Sequence, residues 1–386
     1  MTALRYMLSA AVVAAAGLLG RAAAPDALWT LTMDAADTAG YCAPALGNGH
    51  TGVVMDRCGL KAQRMFQASV HDDGTPGRVS TIVPVMVPLA LSVDVDGDTA
   101  TVFRRQQLRM REAEAVTDFT VGGVRFTATY MAVRHMPHCV MVALEMTADR
   151  DATVTVVNRP EIPASLADCS VSPVTIWCEE DGLRLLRCTA TYNHGRGTLA
   201  ASAHLQGETG NWLTVSADTL RVRLRAGETA MMWGVASQCS TADFADPYNE
   251  ADRQAIYASK SGWNEMLSRH REAWRDLYRS RVEVLGDSAM ARLVNSALYN
   301  LYSSVRAGSR RSIAPMGLTS DKYYGHVFWD ADTWILPVLL RLHPELARSM
   351  LDYRYDALPA ARRRAAAYGY RGAMFPWESD HNGEES

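Results

Sequence analysis

The hydrophobic pattern of this chain changes period once, near Pro247, and that change restricts the fold to a β domain followed by an α domain. From about Leu28 to Ser240, short Val-, Thr- and aromatic-rich runs alternate with turn residues. Leu89 to Val95 leads into Asp96-Gly97-Asp98, and Ala115 to Val121 is joined to Val124 to Val133 by Gly122-Gly123. A Gly-Gly pair between two alternating runs predicts a two-residue hairpin, because glycine takes positive φ without a Cβ clash. Cys139 to Met146, Ala152 to Val157, Leu183 to Tyr192 and Thr219 to Arg225 continue the series. Many strands roughly ten residues apart, with no helical period between them, predict a large antiparallel β-sandwich.

Beyond Pro247 the apolar residues fall at helical spacings. Ile256, Trp263, Met266, Leu267, Trp274, Leu277 and Tyr278 mark a linker helix pair over Tyr248 to Ser280, interrupted by glycine only at Gly262. Asp287-Ser288 offers an N-cap for a helix running through Leu293, Ala297, Leu301 and Tyr302 to about Arg306. Trp334 to Arg341 and Pro344 to Tyr368 read as further helices, the second opening with proline in its first turn, where the missing N–H costs nothing. Arg362-Arg363-Arg364 reads as a solvated helix face. The expected architecture is a β-sandwich over 25–245, a helical linker over 246–286, and the opening helices of an all-α domain over 287–386. That last part is short for a domain and stops in the polar run Gly383-Glu384-Glu385-Ser386, so the chain reads as an N-terminal fragment.

At the other end, Arg5 precedes an apolar run from Tyr6 to Gly20, and Ala22-Ala23-Ala24 supplies small residues for cleavage. The run is shorter than the about 20 residues a membrane helix needs, so residues 1–24 read as a signal peptide. Arg21 and Pro25 suit a cleavage site poorly, and the alternative is an uncleaved anchor. Export to a periplasmic or extracellular space, with no membrane association after cleavage, is the expectation. A formal net charge of -3 over 386 residues gives no electrostatic reason to bind nucleic acid. The seven cysteines form no C-x-x-C pair, so no metal site and no cofactor is expected. A homodimer is left open.

Chemistry concentrates in two places. The first is Tyr323-Tyr324-Gly325-His326-Val327-Phe328-Trp329-Asp330-Ala331-Asp332-Thr333-Trp334. Sugars are held by aromatic faces against their C–H patches and by carboxylates that accept from their hydroxyls, and Trp329 beside Asp330 supplies both. Taken alone, the string also fits a helix entrance with Asp332 or Thr333 as N-cap and the tryptophans in the core. The second place is Phe375-Pro376-Trp377-Glu378-Ser379, followed by Asp380, His381, Glu384 and Glu385. It repeats the aromatic–carboxylate pairing in a loop bounded by Gly372 and Gly383, which suits a site rim. Glycoside hydrolysis needs two carboxylates about 5 or about 6.5–9.5 Å apart, and spacing in sequence does not say which of Asp330, Asp332, Glu378, Glu384 and Glu385 pair. Gly47-Asn48-Gly49-His50-Thr51-Gly52 lacks the lysine of a phosphate loop and reads as a tight turn between early strands. His326 reads as a hydrogen-bonded structural group.

These strings resemble the family 65 glycoside hydrolases, which include maltose, trehalose and kojibiose phosphorylases and some α-glucosidases. The resembling pieces are Gly47-Asn48-Gly49, Gly325-His326-Val327-Phe328-Trp329-Asp330, Gly369-Tyr370-Arg371-Gly372-Ala373, Trp377-Glu378-Ser379 and Gly383-Glu384-Glu385-Ser386. The resemblance implies an N-terminal β-sandwich, a helical linker and a catalytic barrel of six helical hairpins, here cut short. It implies that Trp329, Asp330, Trp377 and Glu378 bind the glucosyl unit of a small carbohydrate substrate. It implies a general-acid glutamate past Ser386, so no catalytic acid is expected within this fragment, which would be inactive alone. Phe328-Trp329-Asp330-Ala331-Asp332 is more similar to the hydrolase members, since phosphorylases tend to carry Thr-Glu after Trp-Asp. The expected activity is that of an inverting α-glucosidase. An inverting disaccharide phosphorylase is the alternative, and a non-catalytic carbohydrate-binding protein is a further one.

Overall fold

The computed structural model describes residues 25–36, 40–73, 80–178 and 181–385, and the expected signal peptide at 1–24 lies outside them. The strand Cys139–Ala148 shows why the β region needs layers on both sides. Val140, Val142, Leu144 and Met146 point one way, Cys139, Met141 and Ala143 the other, and both sets are buried. This strand is central in a nine-stranded antiparallel sheet. The spatial order is Thr30–Asp34, Val102–Arg109, Glu114–Val121, Val124–Ala132, Cys139–Ala148, Thr229–Ser240, Gly197–Thr209, Asp181–Tyr192 and Ala167–Cys178. Two four-stranded sheets share its main core. One orders Leu213–Thr214, Thr219–Leu224, Ala152–Asn158 and Leu91–Val95, and the other Ala45–Gly47, Thr51–Met55, Ala62–Asp72 and Thr81–Val85. Their inward Val93, Val95, Val154, Leu220, Val53 and Met65 join Phe126, Tyr130, Val142 and Leu144 in that core. Gly122 and Gly123 close the Glu114–Val121/Val124–Ala132 hairpin with φ of 52° and 80°, as a two-residue turn of that hand requires.

The other face of the large sheet is covered by helix α1 (Pro247–Leu277), whose Ala258, Trp263 and Met266 pack on Met141, Trp233 and Val235. Asp246 caps α1 by accepting from the Asn249 N–H, and Gly262 (φ 77°, ψ 164°) breaks it into the two pieces the sequence suggests. Asp287 caps α2 (Ser288–Ser304), accepting from the N–H groups of Ala289 and Met290. A π-helical turn, Ala331–Ile335, then runs into α3 (Leu336–Leu342), so helical backbone begins earlier than Trp334. The single helix expected over Pro344 to Tyr368 is two, α4 (Pro344–Asp356) and α5 (Leu358–Ala367). Pro359 has no N–H to offer the preceding turn and ends α4 at Ala357. The arginine run on α5 is not simply solvated. Arg363 pairs with Glu384, and Arg364 Nε donates to Glu385 at 2.7 Å, which closes the terminal loop onto the helix.

The sandwich and the helices meet at a seam built from backbone. Asn48 donates from its side chain to the carbonyls of Val133 and Pro137 (3.0 Å each) and accepts from the N–H groups of His50 and Thr51. This fixes the expected turn so that the Gly49 N–H donates to Ser303 O at 2.8 Å. A Cβ at Gly47 would lie 2.6 Å from Ser303 O, and one at Gly52 2.1 Å from Leu318 O. The buried Arg134 completes the seam, donating to Tyr302 O (2.7 Å) and Val305 O (3.1 Å) at the end of α2. Behind it His270 accepts from the Arg134 N–H and donates through Nε2 to Glu112 O, which needs a neutral ring.

Gly52→Ala drives a methyl into the Leu318 carbonyl and should cost about 2 kcal/mol or more, whereas Gly40→Ala, with open space around it, should stay within about 0.5 kcal/mol. Thermal unfolding of the two variants beside the parent measures both. Acid should loosen the same seam. Burial lowers His270 to about 3, below its unfolded 6.5, so its contribution is complete above pH 6.5 and is lost as pH falls toward 3. Between pH 7 and pH 4 the loss is up to about 3 kcal/mol. A His270→Gln variant, which does not titrate, should show a shallower fall in unfolding temperature over that window.

Candidate functional site

Three consecutive residues with left-handed backbone introduce the site: Tyr323 (φ 58°), Tyr324 (φ 57°) and Gly325 (φ 73°). Non-glycine residues held there cost about 1–3 kcal/mol each, and such strain persists where the surroundings dictate it. Here the turn lays Gly325 against Ile82 of the sandwich, where a Cβ would come within 2.7 Å, and drives His326 into full burial. The chain then forms a strand pair two residues long, Val327–Phe328 against Glu378–Ser379, with Val327 opposite Ser379 and Phe328 opposite Glu378. The Trp329 N–H extends it by donating to Trp377 O at 3.1 Å.

This pairing brings Trp329, Asp330, Trp377 and Glu378 together. The indoles of Trp329 and Trp377 meet with centroids 5.6 Å apart at 68°, and Phe328 packs edge-on against Trp377 at 6.3 Å. The tryptophans are therefore not core, since Trp329, Trp334 and Trp377 are 47%, 70% and 54% exposed. Asp330 is exposed, and among the described residues its carboxylate has no hydrogen-bond or ion-pair partner. Glu378 Oε1 lies 2.8 Å from His326 Nδ1, while its other oxygen is uncommitted among the described residues. The result is a solvent-facing aromatic corner with two carboxylates beside it, an arrangement able to stack a sugar ring and accept from its hydroxyls.

The remaining acids divide differently from the helix-entrance expectation. Asp332 caps no helix: it sits inside the π-helical turn and accepts from Arg354 Nε (2.9 Å) and Nη2 (2.6 Å). Arg354 also donates to Ser379 Oγ at 2.9 Å, and Ser379 in turn donates to Val327 O at 3.0 Å. Tyr353 holds the same strand from behind, donating to Asp380 O at 2.5 Å. The side chains of Glu384 and Glu385 pair with Arg363 and Arg364 of α5, while the backbone of Glu385 bridges to Ser379. His326 matches its structural reading, with Nε2 2.5 Å from Ser80 O in the sandwich. Arg354, Tyr353 and Ser80 escaped sequence reasoning. An arginine and a tyrosine on an amphipathic helix carry no local sign of a partner, and Ser80 acts through its backbone.

One other group could ligate a cation. His50, His138 and Asp243 place a donor atom each within 4.8 Å of one another. Asp243 already accepts from Ser69 (2.5 Å) and Ser240 (3.0 Å), and the cleft of about 620 Å³ beside it is lined by Arg306, Arg310 and Arg311. Those cations oppose a divalent ion, and we assign no metal there.

Replacing Arg354 should uncouple the strand pair. Arg354→Lys loses the planar fork that spans Asp332 and Ser379, so it should destabilise by about 2 kcal/mol, nearly as much as Arg354→Met. Unfolding curves followed through tryptophan emission report both the stability and the Trp329–Trp377 corner.

Comparison with known proteins agrees with this architecture. Residues 43–277 match the glycosyl hydrolase family 65 N-terminal domain, and residues 295–386 match the family 65 central catalytic domain. Kojibiose hydrolase of Flavobacterium johnsoniae is 34% identical over 373 residues, covering 92% of this chain and 55% of that protein. Kojibiose hydrolase of Mucilaginibacter mallensis is 33% identical over 384 residues, with the same coverage of 92% and 55%. Among solved structures, a human-microbiome protein assigned as a kojibiose phosphorylase superposes with a TM-score of 0.73 over 93% of this chain and 52% of its own, at 14% identity, which speaks to fold alone. The chain thus spans about half the length of the relatives it matches. On these matches, the chain belongs to glycoside hydrolase family 65.

Proposed function

We propose that this chain carries the glucosyl-binding part of an inverting α-glucosidase that acts on α-linked glucosyl disaccharides. The observation that carries the reading is the aromatic corner of Trp329 and Trp377 with Asp330 unpaired beside it and Glu378 half-committed to His326. A carboxylate left without a protein partner at the surface of such a corner is available to sugar hydroxyls. In this reading Asp330 and Glu378 orient the sugar, and proton transfer belongs to carboxylates outside residues 1–386. Asp332, fixed by Arg354, shapes the turn that presents Asp330.

Two considerations favour hydrolysis over phosphorolysis. The relatives matched over 92% of the chain are named kojibiose hydrolases. Export, which residues 1–24 suggest, suits a hydrolase, because a phosphorylase outside the cell would lack millimolar phosphate and lose a charged sugar phosphate. Kojibiose is therefore the first substrate to try.

The full-length protein should release glucose from kojibiose without added phosphate, with inversion at the anomeric carbon observed by NMR. Strict dependence on phosphate would make it a phosphorylase, and binding without turnover would make it a carbohydrate-binding protein. Asp330→Ala should lower kcat/KM by about 100-fold or more with an unchanged unfolding temperature. Near-normal turnover would remove Asp330 from the site.

A further inference from the structure

His326 touches two acceptors. Nδ1 lies 2.8 Å from Glu378 Oε1, and Nε2 lies 2.5 Å from the Ser80 carbonyl. A carbonyl has no proton to give, and an ionised carboxylate has none either. A neutral imidazole carries one N–H, so with Glu378 ionised one of these contacts would set lone pair against lone pair. The ring is fully buried, and water does not replace the missing donor. We propose that His326 donates from both nitrogens at once, as an imidazolium, and so pins the Glu378 carboxylate to the sandwich backbone at Ser80. This makes His326 a positioning residue for the sugar-binding carboxylate.

The surroundings suit a single buried cation. Among the described residues, Glu378, on the strand opposite, is the acid paired with the ring. From the sandwich comes His71, and from the loop after the strand pair comes His381. The two stack at 4.3 Å, and burial holds both below their ordinary range, so they stay neutral beside the imidazolium. Tyr324 adds an aromatic ring with its centroid 5.4 Å away. Arg311, the cation that also bears on His71 and His381, lines the far side of the small cleft behind them. With both donors satisfied, the free oxygen of Glu378 keeps one orientation toward the aromatic corner. The sandwich domain is thereby a component of the sugar site.

The proposal rests on the glucosyl-site reading for its consequence but not for its test. In the chain labelled with ¹⁵N-histidine, both ring nitrogens of His326 should give protonated shifts at neutral pH, the signals being assigned by their loss in His326→Gln. Glu378→Gln, which keeps the volume and removes the charge, should return the ring to one neutral tautomer. An unprotonated Nδ1 or Nε2 in the parent chain overturns the proposal, and should His326→Gln fail to fold, the loss of the same signals in His326→Asn makes the assignment. In the full-length protein, His326→Gln should raise KM for kojibiose about tenfold or more while changing kcat less. Protonated shifts together with no sugar binding at all would leave the His326–Glu378 clamp standing and sink the glucosyl-site reading instead.

Discussion

The structure turns on a buried arginine that has no carboxylate partner among the described residues. Arg134 is desolvated enough that burial pulls it down to about 9, yet it is held by the carbonyls of Tyr302 and Val305 and lies over the Trp274 ring at 5.4 Å. Those carbonyls are the negative end of α2, so the helix dipole does part of what a carboxylate would do. Its backbone is used as well. The N–H goes to His270 on α1, and the carbonyl accepts from Arg306 just after α2. One residue of the sandwich thus joins two helices at the seam where the Gly47–Gly52 turn lies against Ser303 and Leu318.

The site inherits its geometry from this seam. A strand pair of two residues a side has no independent stability, and its order must come from outside. Arg354 and Tyr353 on α4 supply it from one side, and Ser80 through His326 supplies it from the other. The left-handed turn at Tyr323 and Tyr324 runs directly into two anchored residues, Gly325 against Ile82 and the buried His326. The strain lies beside the two exposed tryptophans, where the protein gains a fixed aromatic angle in exchange for backbone ease.

The layers were legible in the sequence because burial leaves a period. Alternation along Thr219–Leu224 and the spacing of Trp263, Met266 and Trp274 on α1 each report one buried face, and Asp287 and Gly122-Gly123 report local backbone needs. The aromatic–carboxylate pairs at Trp329-Asp330 and Trp377-Glu378 were visible as composition, but the two-residue ladder that joins them was not, being too short to have a period. The break at Pro359 leaves a sequence signal of its own, but the alanine-rich run that follows it continues the helical pattern. Asp332 illustrates the limit. An acid at a helix start is most simply a cap, and only the long-range position of Arg354 makes it an ion-pair partner.

The contrast between Asp330 and Asp332, two residues apart, shows how the fold separates binding from support. Asp330 immediately precedes the π-helical turn and Asp332 lies inside it. The turn lets Asp332 reach an arginine that is itself largely buried, whose Nε and Nη2 both donate to one carboxylate oxygen, Oδ2. It leaves Asp330 exposed beside Trp329, with no hydrogen-bond or ion-pair partner among the described residues. Asp330 itself has helical φ and ψ (−54°, −38°) and makes no side-chain capping bond, so its carboxylate is not spent on the turn that follows.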